Sequence, residues 1–175
     1  VANLASSVGS LKANENDTWT LITPDNFNGS INLSYSIINS IGSESNETQS
    51  FSMAPVNDAP TLTSNKVYLE NGTEDIVYSI KATDLLQGYS DVEGDTLSVQ
   101  DLTVSSGSGS LTDNQDGTWI FAPSQDFYGD ISLTYLVSDS NGGKIKANQS
   151  FSLDPVNDAP VSTGDVDFGS IDEDS

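Results

Sequence analysis

Short stretches of this chain alternate apolar and polar residues, and no stretch shows helical periodicity. Ile31-Asn32-Leu33-Ser34-Tyr35-Ser36-Ile37 alternates cleanly, and Ile131-Ser132-Leu133-Thr134-Tyr135 does the same. A period of two gives a strand with one buried and one wet face. Trp19-Thr20-Leu21 and Trp119-Ile120-Phe121 read as the preceding strands, the second announced by the turn pair Asp116-Gly117. Phe51 with Met53, and Phe151 with Leu153, share one face of strands that stop at Pro55 and Pro155. Val67-Tyr68-Leu69, then Ile76, Val77, Tyr78 and Ile80, then Leu97, Val99, Leu102 and Val104 complete the set. About seven short strands separated by Gly, Asn, Asp and Ser predict an all-β sandwich. Trp119, Phe127, Tyr135 and Phe151 are expected at its core.

The pattern repeats at an offset of one hundred residues. Pro55-Val56-Asn57-Asp58-Ala59-Pro60 returns as Pro155-Val156-Asn157-Asp158-Ala159-Pro160, and Gly9-Ser10-Leu11, Thr18-Trp19, Phe27, Gly29 and Ser50-Phe51 return without a gap. Such self-similarity marks a tandem array. Residues 1–55 correspond to the later part of a unit, 56–155 to one complete unit, and 156–175 to the opening of a third. The first part has no counterpart of residues 56–100. Its missing strands are therefore absent or supplied from elsewhere by strand complementation, since open edges invite pairing.

Composition narrows the function. The formal net charge is −21, from 26 acids against 5 bases, which repels nucleic acid and anionic membranes. Cysteine and histidine are both absent, so disulfides, zinc or copper sites and most nucleophile systems are excluded. No apolar run of about twenty residues is present to insert in a membrane. No two carboxylates are placed by the pattern on one pocket wall, so an enzyme is not expected.

The acids gather at loops and strand ends. One group is Asp84 with Asp91-Val92-Glu93-Gly94-Asp95; a second is Asn57-Asp58 and its repeat Asn157-Asp158; a third is Glu74-Asp75, echoed by Asp172-Glu173-Asp174. Crowded carboxylates repel one another unless a cation joins them. Calcium takes six to eight oxygens from carboxylates, carbonyls and amides, which is the donor set on offer. EF-hand spacing is absent. Glu44, Glu47 and Asp126 read instead as solvated surface acids.

These motifs, together with Ala82-Thr83-Asp84, Phe27-Asn28-Gly29 and Tyr135-Leu136-Val137-Ser138-Asp139, resemble the cadherin-like tandem repeats of large secreted, calcium-dependent bacterial adhesins of the repeats-in-toxin type. The resemblance covers essentially the whole chain. It implies tandem seven-stranded Greek-key β-sandwiches with Ca2+ at the junctions between units. It also implies ligands at Asn57, Asp58, Glu74, Asp84, Asp91, Glu93, Asp95 and Asp139, and at Asn157, Asp158, Glu173 and Asp174 for the next junction. Two departures stand out: residues 85–90 separate Asp84 from Asp91, and Asn39 occupies the position of Asp139.

The expected function is a calcium-rigidified extender in a surface adhesin that supports attachment or biofilm formation, outside the cell, with neighbouring repeats of the same protein as partners. The alternative is a module that itself contacts a carbohydrate, peptide or partner chain, with Tyr89 and Tyr128 as its candidate contacts.

Overall fold

A computed structural model describes residues 1–160 and Gly164. Glu173 and Asp174, like Asp172, lie outside the described residues. The chain forms two compact units. The first comprises Val1–Thr63, Tyr89–Ser98 and Ser138–Ile145; the second comprises Ser64–Gly88, Val99–Val137 and the described residues from Lys146 onward.

In the first unit, β1 (Ala2–Ser6), β4 (Gly29–Ile38) and β5 (Glu44–Met53) form a three-stranded antiparallel sheet in the order β1-β4-β5, and β2 (Ser10–Ala13) pairs with β3 (Trp19–Ile22) in a hairpin. The long β4–β5 pairing runs in register from Gly29 opposite Met53 to Ile38 opposite Glu44. A small ladder of β6 (Thr61–Leu62) on β9 (Tyr89–Ser90) fixes the chain just after Asn57-Asp58 beside the start of the acidic loop. A hydroxyl contact between Thr63 and Ser90 at 2.9 Å extends it.

In the complete repeat, seven strands between Gly72 and Asp154 build two sheets. Its first sheet has the order β10-β13-β14-β7, from β7 (Gly72–Thr73), β10 (Ser98–Ser106), β13 (Gly129–Ser138) and β14 (Lys144–Asp154). Its second has the order β11-β12-β8, from β8 (Tyr78–Lys81), β11 (Gly109–Asp113) and β12 (Thr118–Pro123). The chain changes sheet between most consecutive strands and turns back in place only at the β11–β12 and β13–β14 hairpins, which is Greek-key order.

Alternation places the core. Ile131, Leu133, Tyr135 and Val137 on β13 are all buried, and Phe151 and Leu153 of β14 join them. Trp119 and Phe121 of β12 and Ile80 of β8 face them from the other sheet. The sheets meet through aromatic rings: Phe151 stacks on Tyr78 with centroids 4.1 Å apart and meets the edge of Phe121 at 5.8 Å. Phe127, expected in the core, is only half-buried, and Phe121 fills the centre instead.

Two expectations about the strands are corrected. Val67-Tyr68-Leu69 forms no strand, with Tyr68 largely exposed, and Ile76 and Val77 are exposed in the turn before β8 rather than part of it. Three adjacent apolar residues carry no alternation, so nothing in them specified a buried face. One helical turn, α1 (Ala82–Leu85), follows β8, closed by the Leu86 N–H on the Ala82 carbonyl at 2.9 Å. It is too short to show a period, and it inserts Leu85 into the core, where the Tyr135 hydroxyl donates to the Leu85 carbonyl at 2.9 Å. No helix among the described residues is long and apolar enough to cross a membrane.

Candidate metal centres

In the first unit, six of the expected residues join one closed circuit of hydrogen bonds. Asp139, at the end of β13, is buried. Its Oδ1 accepts the backbone N–H groups of Asn141 at 2.8 Å and Gly143 at 3.0 Å, and its Oδ2 accepts the Asn57 side-chain amide at 2.8 Å. The same amide reaches the Asp58 carbonyl at 3.1 Å. The Asp58 N–H donates to Glu93 Oε2 at 3.2 Å, and the Glu93 and Asp95 N–H groups donate to Asp91 Oδ1 at 2.9 and 3.3 Å. Asn141 closes the circuit by donating its amide to Asp95 Oδ2 at 2.6 Å. Gly94, at φ 81°, makes the tight turn that lets Asp91 cap its own loop.

The Asn57 hydrogen bond is the main influence holding the Asp139 carboxyl below the ordinary Asp range; burial opposes it, and the backbone N–H groups of Asn141, Gly143 and Gly142 add to it. Asn39 shows what the charge is not needed for. Its Oδ1 accepts the N–H groups of Ile41 at 3.1 Å and Ser43 at 2.9 Å, which is the same turn made with a neutral side chain. The loop geometry therefore needs an oxygen at this position, while the negative charge of Asp139 serves the face turned to Asn57.

A second centre lies in the second unit. Glu74 follows β7 and is buried. Its N–H donates to the Asp154 carbonyl at 3.0 Å, and its Oε1 accepts the Val156 N–H at 2.5 Å. Beside it Asp75 adopts φ 62°, and its Oδ1 accepts the Asp126 N–H at 3.0 Å. Asp75, Asp126 and Asp158 each present a carboxylate oxygen, all within 4.8 Å of one another. Asn157 donates to the Asp158 carbonyl at 3.3 Å, repeating the local geometry of Asn57 and Asp58.

Each centre contains one anomaly. Asp91 Oδ2 and Glu74 Oε2 are buried and accept no hydrogen bond. A buried carboxylate oxygen without a partner costs several times what an ordinary hydrogen bond contributes, so native structures seldom keep one. Both belong to groups whose other donors are carboxylate, amide and carbonyl oxygens.

Asp84 lies in α1 of the second unit, where its carboxylate accepts the Thr83 hydroxyl at 3.4 Å and its charge adds to burial in raising the Tyr78 phenol. The six residues from Leu85 to Ser90 carry the end of α1 and β9. Asp126 and Asn141 were not singled out by the sequence. Asp126 is exposed as a surface acid should be, yet it completes the second centre. The repeat offset held a hint: an amide or acid precedes Phe-x-Gly in both copies, as Asn26 and as Asp126, both at positive φ.

The cadherin-like domain family matches residues 56–154. Among curated proteins, none matches the chain significantly. Solved structures to which the chain is similar include the endo-fucoidan hydrolase MfFcnA4 from glycoside hydrolase family 107, at 22% identity over 87% of this chain and 24% of that one, with a TM-score of 0.35. Another is the endo-fucoidan hydrolase MfFcnA9 of the same family, at 24% identity over 86% of this chain and 27% of that one, with a TM-score of 0.32. The chain spans about a quarter of the length of each, and at these scores neither likeness bears on activity. The family match covers more than half of the chain and coincides with the seven-stranded sandwich, so the chain belongs to the cadherin-like domain family.

Proposed function

We propose that this chain is an extender segment of a large bacterial surface adhesin of the repeats-in-toxin type, stiffened by calcium and acting outside the cell in attachment or biofilm formation. Cadherin-like domains are in general extracellular, adhesion-type, non-catalytic modules that bind calcium. The observation that carries the metal reading is the pair of partnerless buried oxygens, Asp91 Oδ2 and Glu74 Oε2. An all-oxygen donor set with a surplus of negative charge fits calcium rather than a softer metal.

In the first unit Asp91, Glu93, Asp95 and Asp139 would hold the ion with Asn57 and Asp58, tying residues 57–58 to the loops at 91–95 and 139–143. In the second, Glu74, Asp75 and Asp126 would hold it with Asn157 and Asp158. When bound, calcium neutralises these carboxylates and fixes the Pro-Val-Asn-Asp-Ala-Pro segments against the neighbouring loops. The domain limits that go with this reading are a partial repeat at 1–55, a complete one at 56–155 and the start of another at 156–175. Neighbouring repeats of the same protein are then its natural partners.

Calcium titration followed by thermal melting tests the reading. Binding to the folded form alone stabilises by RT ln(1 + [Ca]/Kd), about 2.7 kcal/mol at a hundredfold excess over Kd. An unchanged melting profile at millimolar calcium would refute it.

A further inference from the structure

The outer face of the sheet β10-β13-β14-β7 breaks the hundred-residue pattern. Tyr135 and Val137 of β13 turn into the core, so Thr134 and Leu136 turn outward. The Asp139 N–H donates to the Gly143 carbonyl as the Asn39 N–H does to the Ser43 carbonyl, so the β13–β14 and β4–β5 hairpins share one register. Ser36 lies opposite Asn46 in β4–β5; by the same register Leu136 lies opposite Lys146, and Thr134 opposite Asn148. The Ser36–Asn46 pair is closed on itself: Ser36 is buried, and its hydroxyl donates to Asn46 Oδ1 at 2.9 Å. Leucine has no polar group to repeat that bond. Leu136 is half-buried and Lys146 exposed.

A further segment builds a wall beside this pair. The Lys66 ammonium donates to the Asn148 carbonyl at 3.0 Å and to its side-chain Oδ1 at 3.1 Å, and the Gln149 side-chain amide donates to the Val67 carbonyl. These bonds hold residues 66–67 against β14. On β10, Asp101 adopts φ 53°, which interrupts the alternation of that strand. Lys66, Asp101, Thr134, Leu136, Lys146 and Asn148, all in the second unit, line a pocket of about 470 Å3. Ligand sites commonly occupy about 300–1,000 Å3. Two of the five bases of a chain with net charge −21 meet here, against one acid.

We infer that this pocket binds an anionic saccharide, one whose ring carries a carboxylate or a sulfate ester. The ammonium groups of Lys146 and Lys66 take the anion. Asn148 Oδ1 is engaged by Lys66, which leaves the Asn148 amide NH2 to donate to a ring hydroxyl; Asp101 and Thr134 supply acceptors. Leu136 packs against the C–H face of the ring. A peptide strand fits less well. β13 lies between β10 and β14, so its main-chain groups are used in the ladder and offer no edge for strand addition. An acidic peptide would also meet Asp101 with charge alone, whereas a saccharide brings it hydroxyl donors. The inference does not depend on the calcium reading.

Titration calorimetry of the 175-residue chain tests it, at physiological salt and in millimolar calcium, with a galacturonate trisaccharide, a sulfated galactose trisaccharide and a neutral galactose trisaccharide. One-to-one binding of an anionic probe is expected, about tenfold or more tighter than the neutral one, and the stronger of the two identifies the anion. Lys146→Glu should weaken it about tenfold or more, and so should Leu136→Ser combined with Lys146→Asn, which copies the closed pair of the first repeat. If the double variant melts early, Lys146→Glu decides alone, because that side chain is exposed. Absence of binding would overturn the site. So would binding indifferent to Lys146→Glu, the result expected if calcium merely bridged the probe to the acidic loops. Tighter binding of a tetra-aspartate peptide than of either anionic probe would overturn the assignment of the ligand.

Discussion

Phe51 and Phe151 occupy equivalent positions, and truncating each to alanine reads out how well each ring is covered. Phe151 is almost wholly buried, stacked on Tyr78 and set edge-on to Phe121. Phe→Ala in such a site costs about 3–5 kcal/mol, because the cavity cannot collapse and two ring contacts are lost. Phe51 is 41% exposed, so water already reaches it and no closed cavity forms. Its loss is the transfer of roughly three-fifths of one phenyl side chain, about 1–2 kcal/mol. The two variants should therefore differ by about 2–3 kcal/mol. At about 4–8 °C per kcal/mol for a unit of this size, that is a gap of roughly 10–20 °C in the melting of the affected unit. Scanning calorimetry in chelator, with tryptophan emission to separate the units through Trp19 and Trp119, measures it. Equal losses for the two substitutions would show that the first repeat has a closed core, and the reasoning from its exposed aromatic residues would fail.

Glu74→Gln keeps an acceptor for the Val156 N–H while removing a buried charge whose second oxygen has no partner; the chain should gain on the order of 1 kcal/mol in chelator and lose part of its response to calcium, both read by melting with and without the ion. Because the folded Asp139 carboxyl is held low, its contribution is complete above the ordinary Asp range and is lost as pH falls through its depressed value. Asn57→Ala removes the main cause of the depression, so melting profiles from neutral pH to pH ~2 should show the loss beginning at higher pH in that variant. Gly143→Ala would place a methyl group 2.8 Å from Ala59 Cα and 2.9 Å from the Asp58 carbonyl, and against the Asp139 carboxylate. It should destabilise the first unit by about 1–3 kcal/mol and weaken calcium binding, checked by urea unfolding and calorimetry; an unperturbed variant would show that this loop does not press on residues 58–59.

In residues 131–153 alternation predicted well: Ile131 to Val137 and Phe151 to Leu153 went to the core because period two commits one face, and the hundred-residue offset carried the same assignment to Ile31. It failed at the end of the clean run Ile31–Ile37, where Ser36 is buried and Ile37 exposed. Other misses have a different cause. Val67 to Leu69 and Ile76 to Val77 are runs without alternation, and α1 is a single turn whose role, delivering Leu85 to the Tyr135 hydroxyl, is a tertiary contact fifty residues away. The acidic loop was legible because Asp91, Glu93 and Asp95 are spaced for a turn that caps itself around Gly94. Asp126 and Asn141 were not, since each reaches its neighbours across the fold: Asp126 through its backbone to Asp75, and Asn141 through its amide to Asp95.

The short parallel pairing of β7 with β14 has a consequence under load. Leu153 lies opposite Gly72 and Asp154 opposite Thr73, and the Glu74 N–H on the Asp154 carbonyl continues the ladder. A pull that enters at the start of β7 and leaves at the end of β14 drags two parallel strands in opposite directions along their lengths. Their hydrogen bonds are then strained together in shear rather than peeled one at a time. The Glu74 carboxylate, bonded to the Val156 N–H just past β14, sits at the point where that force leaves the sandwich. Rupture would have to break this group as a whole, so resistance to stretching is set by the first and last strands and the acid that joins them, more than by the size of the core between.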